Sequence, residues 1–183
     1  MKKRYKDLIA LVAFLLLILI ITIMIETNGN LDGFITRLRY SRNGHNEEFI
    51  EEIRSNFPCI RNPEIFEPAR VIKIIDGDSI QVLMNENLYE VRYIGIDAPE
   101  FSGEEWLDAQ EAKLANRILV EGKEIILYKD KSDTDRFGRL LRYVFVDQKF
   151  VNHELVKEGY AISKFYYPDV MCQELFESAS LDR

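Results

Sequence analysis

Val71-Ile72-Lys73-Ile74-Ile75-Asp76-Gly77-Asp78-Ser79-Ile80-Gln81-Val82-Leu83-Met84 reads as two β-strands joined by a tight turn. β-branched residues crowd 71–75, and Ile80, Val82 and Met84 fall on alternate positions. Asp-Gly between two such runs is a hairpin signal. A third strand is expected over 88–96. A helix follows over 103–120, with Trp106, Ala109, Leu114 and Ile118 facing inward, and Glu121-Gly122-Lys123 stops it. Strands are expected over 124–128 and 139–146, a short helix over 151–158 ended by Gly159, and a last helix over 169–180 after Pro168. Three strands in succession on short turns argue for an antiparallel sheet or small barrel. The expected class is α+β. A five-stranded OB-fold barrel with packed helices suits the order, although periodicity alone leaves other α+β folds open.

Upstream the composition changes. Lys2, Lys3, Arg4 and Lys6 form a basic flank over residues 1–7, and residues 8–25 are apolar except for Thr22. A helix of that length spans about 27 Å, near a bilayer's ~30 Å hydrocarbon core. An uncleaved transmembrane anchor is preferred to a cleaved signal segment, which has a shorter apolar core and a small-residue site. Basic residues favour the cytoplasm, so the N-terminus is expected inside and the remainder outside, with a secreted form if the anchor is cleaved. Residues 26–67 read as a connector. Within it Asn46 caps a short helix whose Phe49, Ile50, Ile53 and Phe57 share one face, and Pro58 ends it. Loose packing on a domain spanning 68–183 is expected of this stalk. Cys59 in the connector and Cys172 in the last helix are either a disulfide tying the two elements or two buried thiols.

The chain of 183 residues carries a net charge of −7. Residues 1–68 hold equal numbers of acidic and basic residues, so the deficit lies in 69–183. Acidity counts against a passive nucleic-acid binder and less against an enzyme with a metal ion and local arginines. His45 and His153 flank no nucleophile signature, two cysteines are too few for a zinc site, and no GxxxxGK[ST] loop exists. Acid, metal and arginine chemistry remains. Three segments supply it: Asp76-Gly77-Asp78, Arg92-Tyr93-Ile94-Gly95-Ile96-Asp97-Ala98-Pro99-Glu100, and Asp135-Arg136-Phe137-Gly138-Arg139. Singly, they are a turn, a strand end meeting a helix dipole, and surface charges. Together, carboxylates at a turn and a strand end can converge on a hard cation, with two arginines to hold a phosphate.

The three segments, in that order and spacing, resemble the signature stretches of the staphylococcal (thermonuclease-like) nuclease family over about residues 68–168. The resemblance implies an OB barrel and a Ca²⁺-dependent hydrolase that cuts DNA or RNA, single strands favoured, to leave 3′-phosphate ends. It implies Asp78, Asp97 and the main-chain oxygen of Ala98 as calcium ligands, and Asp76 as a support for the metal turn. It implies Arg92 and Arg139 on the scissile phosphate, and Glu100 near the attacking water as general base. Arg136 becomes a phosphate contact. Phe165 and Tyr167 fall where the family stacks bases, or else pack at a helix start. Phe137 stands where well-known members carry Tyr, which removes a hydroxyl from the phosphate's surroundings. A monomer bound to nucleic acid and tethered to a membrane is the expected working unit. A non-catalytic OB module at the cell surface is the competing reading.

Overall fold

The computed structural model describes Ile18, residues 45–101 and residues 105–181. The expected basic flank, the anchor apart from Ile18, connector residues 26–44, residue 102, residues 103–104 of the expected helix and residues 182–183 lie outside the described residues. Among the described residues no helix is long and apolar enough to cross a membrane.

Five strands close into a barrel. β1 (Glu67–Ile74) pairs antiparallel with β2 (Ser79–Met84), and β2 with β3 (Asn87–Tyr93). On its other edge β1 pairs with β5 (Glu124–Tyr128), and β5 with β6 (Leu140–Val146). A parallel ladder between β3 and β6, Val91 opposite Leu140 and Arg92 opposite Leu141, shuts the sheet. The mixed α+β class and the OB-like barrel are therefore as expected. A bulge between Val71 and Lys73 breaks the alternation of β1, and it leaves Ile72 exposed despite its apolar side chain. The expected single strand over 88–96 is two pieces. Gly95, at φ +81°, turns the chain after β3, and the two-residue β4 (Ile96–Asp97) then pairs with β8 (Ile162–Ser163). The remaining strand, β7 (Lys149–Phe150), flanks β6.

Four helices surround the barrel among the described residues. Helix α1 (His45–Asn56) comes from the connector. Its Phe49 and Ile53 are buried, as is Ile60 beyond it, so this part joins the core and corrects the expectation of a loosely packed stalk. Apolar side chains at this spacing cannot stay in water when a complementary face is within reach. Helix α2 (Trp106–Val120) corrects another expectation. Trp106, Leu114 and Ile118 are exposed, and the inward residues are Ala109, Ala112, Asn116 and Val120. Small side chains on that face let the helix approach the barrel closely. Helix α3 (Val151–Lys157) buries Val151, Leu155 and Val156, and α4 (Gln173–Leu181) buries Phe176. Cys59 and Cys172 form a disulfide across 113 residues, tying the segment after α1 to the segment before α4.

Candidate active site

The site forms where the β1–β2 turn, the end of β3 and β4 meet. Gly77 lies outside the left-handed region that the hairpin signal implied. It is glycine because a Cβ there would stand 2.6 Å from Ala98 Cβ and 2.8 Å from Ala112 Cβ. The turn is therefore wedged between the Asp97-Ala98 segment and helix α2. Asp76 Oδ1 accepts the Asp78 amide at 3.0 Å, and Asn116, fully buried on α2, donates to the Asp76 carbonyl at 2.9 Å. Asp78 is turned inward. Its Oδ2 accepts the Ala98 amide at 2.7 Å, and its Oδ1 accepts the Ser79 hydroxyl at 3.1 Å.

Arg92 joins the two expected ligand carboxylates. Its Nη1 is 2.6 Å from Asp78 Oδ2 and its Nη2 is 2.9 Å from Asp97 Oδ1. Asp78 and Asp97, from different elements, thus converge on one guanidinium. The other Asp97 oxygen, Oδ2, is 2.6 Å from Lys164 Nζ. Burial is the largest influence on the Asp78 carboxyl; it outweighs the downward pull of Arg92 and, with the charge of Asp76 adding to it, leaves the group raised to about 7. Among the described residues no group of three or more His, Cys, Asp and Glu side chains forms a metal centre. The two carboxylates drawn together here are oxygen donors of the kind a hard divalent cation takes. Arg92 offsets only part of the burial penalty on ionised Asp78, and a hard divalent cation would offset more of it, so these residues suit such an ion. Glu100 lies three residues beyond Asp97 on the same segment and is exposed.

Arg139 arrives from the other side of the β3–β6 ladder, immediately before Leu140, the partner of Val91. A tight loop over 135–139 holds it, turned at Gly138 with φ +83°. Asp135 organises that loop: Oδ1 accepts the amides of Phe137 and Arg139, and Oδ2 accepts Arg139 Nε at 2.7 Å. Burial alone would raise the Asp135 carboxyl, but these hydrogen bonds together hold it below its ordinary value. Phe137 is exposed at the tip, with Arg136 4.7 Å and Arg139 5.5 Å from its ring centroid.

The two expected stacking aromatics part company. Phe165 packs on the core, edge-to-face with Phe176 at 5.3 Å, and it covers Gly95, where any Cβ would run into its ring. Its ring is taken up by these packing contacts. Tyr167 is 90% exposed, and so is Tyr166 to 64%. Tyr166, Lys164 and the organising role of Asp135 were missed in the sequence. Lys164 is 67 residues from its partner and left no local signal. Asp135 did leave one, since Asp followed by Gly at +3 is a turn composition.

A family model described as Staphylococcal nuclease homologue matches residues 90–180. Similar proteins include a thermonuclease of Staphylococcus hyicus, 36% identical over 60% of this chain and 67% of that one. Endonuclease YncB of Bacillus subtilis (strain 168) is 33% identical over 69% of this chain and 63% of its own. The SPbeta prophage-derived endonuclease YokF of the same organism is 39% identical over 52% of this chain, which spans only 33% of that protein.

Proposed function

Because the chain belongs to the staphylococcal nuclease homologue family, we propose that it is a Ca²⁺-dependent nuclease hydrolysing DNA or RNA to 3′-phosphate ends. The observation that carries the reading is the convergence of Asp78 and Asp97 on Arg92, beside the strand that delivers Arg139. Asp78, Asp97 and the Ala98 carbonyl would hold the ion, and Asp76 keeps their turn in place. Bound there, Ca²⁺ supplies Lewis-acid charge at the phosphate.

The residues of the chain do the rest. Arg139, aimed by Asp135, takes the phosphate oxygens, and Arg92 adds positive charge from between the carboxylates. Glu100 accepts a proton from the water that attacks phosphorus. The P–O5′ bond breaks, giving a 3′-phosphate and a 5′-hydroxyl. Tyr167 and Tyr166 offer exposed faces for bases, and Arg136 offers a contact to the backbone. Residues 8–25 tether the domain on the outer side of a membrane. The Cys59–Cys172 disulfide supports that side, where thiols oxidise and calcium is plentiful.

The test uses the full chain in detergent with single-stranded DNA. Cleavage is expected with Ca²⁺, is abolished by chelator, and falls by about 10²–10³ in Arg139→Ala and in Glu100→Ala. Folded protein that binds DNA without cutting it would favour the non-catalytic module.

A further inference from the structure

Asp97 is the site carboxylate whose two oxygens both meet cations: Arg92 Nη2 at 2.9 Å on Oδ1 and Lys164 Nζ at 2.6 Å on Oδ2. Lys164 is placed there by backbone. Asp97 lies opposite Ile162 in the β4–β8 ladder, and the Lys164 amide donates to the Gly95 carbonyl at 2.9 Å. The two cations are not equivalent. Arg92 is 16% exposed and gripped by both carboxylates at once. The Lys164 side chain is 42% exposed, and its ammonium also sits 5.8 Å from the Tyr166 ring centroid, a second resting place on the solvent side. Exposed pairs of this kind are weak, and a flexible stem lets the ammonium leave.

We infer that Lys164 is an internal counter-cation of Asp97 which Ca²⁺ displaces on binding, so that this lysine lowers the calcium affinity of the site. The inference rests on the calcium reading above. A carboxylate oxygen facing an ammonium has to give up that contact before it faces a divalent ion. The positive charge that stays nearby continues to repel the ion. Of the two cations, the exposed lysine yields and the doubly held arginine stays.

Calorimetric titration of CaCl₂ into the full chain in detergent tests this without recourse to activity. Lys164→Ala is expected to bind Ca²⁺ about two- to fivefold more tightly, the range an exposed ion pair commands. Lys164→Met, which keeps the aliphatic stem, should do the same, and Lys164→Arg should stay near the parent. The rise in Tm at a fixed subsaturating Ca²⁺ concentration should grow in the first two variants, which a purely structural lysine would not produce. Unchanged or weaker binding in both, with a parent that binds Ca²⁺, overturns the role of Lys164 and leaves the calcium reading standing. No Ca²⁺ binding by parent or variants overturns both.

Discussion

At the scale of single residues, charge orientation dominates. Asp135 accepts three hydrogen bonds, and only that to Arg139 Nε depends on its second carboxylate oxygen. Asp135→Asn therefore keeps the loop and releases the guanidinium. It is expected to lower kcat/KM on single-stranded DNA by about ten- to a hundredfold, less than Arg139→Ala. Steady-state rates of the two variants side by side check that order. His153 gives a pH dependence away from the site. It lies among Phe57, Phe150 and Phe176, with ring centroids 6.3, 6.3 and 5.7 Å away. Burial holds the imidazole below its ordinary 6.5, while Glu154 pulls it up and Lys157 pulls it down. As pH falls, the unfolded chain takes this proton first. The stabilising contribution is complete above 6.5 and is lost as pH falls through the lower folded value. Tm should drop from pH 7 towards 5, and His153→Gln should flatten that part of the profile. An unchanged slope would assign it to other groups.

At the scale of elements, the site depends on how closely α2 approaches the β1–β2 turn. Gly77→Ala places a methyl against the Cβ atoms of Ala98 and Ala112, neither of which can rotate away. The expected cost is about 1–3 kcal/mol by chemical denaturation, with weaker Ca²⁺ binding because Asp78 and Ala98 are forced apart. Asn116→Ala removes the donor to the partly buried Asp76 carbonyl and the acceptor of the buried Tyr93 hydroxyl. A loss of about 1–3 kcal/mol is expected in the same experiment. The two variants separate packing from polar satisfaction at one contact. They also show why α2 was misread in phase. Its large apolar residues suggested the buried stripe, yet close approach selected the small ones.

At the scale of the whole molecule, the Cys59–Cys172 disulfide links the two ends of the barrel's helical cover. The bridge closes a loop of 113 residues, and its removal by a paired Cys59→Ser, Cys172→Ser change should cost about 2–5 kcal/mol. Thermal unfolding of parent and variant, each with and without reductant, checks this; the parent alone should respond. The five barrel strands, the four described helices and the three chemical segments were legible in the sequence, because alternation, turn composition and motif order are local properties of the chain, whereas the two-residue strands β4, β7 and β8 were not. Asp78, Asp97, Arg92 and Arg139 could be named from them. What each side chain faces was not legible. The parallel β3–β6 closure, Arg92 between two carboxylates, Lys164 on Asp97, Phe165 over Gly95 and the burial of Phe49 and Ile53 all join residues far apart in the chain. Such partners leave no periodic trace, since each is set by the register of a ladder or the depth of a packed helix. By itself the sequence determined the five strands that line up in the barrel and the three segments that carry its acids and arginines. The tertiary structure decided which oxygen meets which cation, because burial and strand register act across the fold.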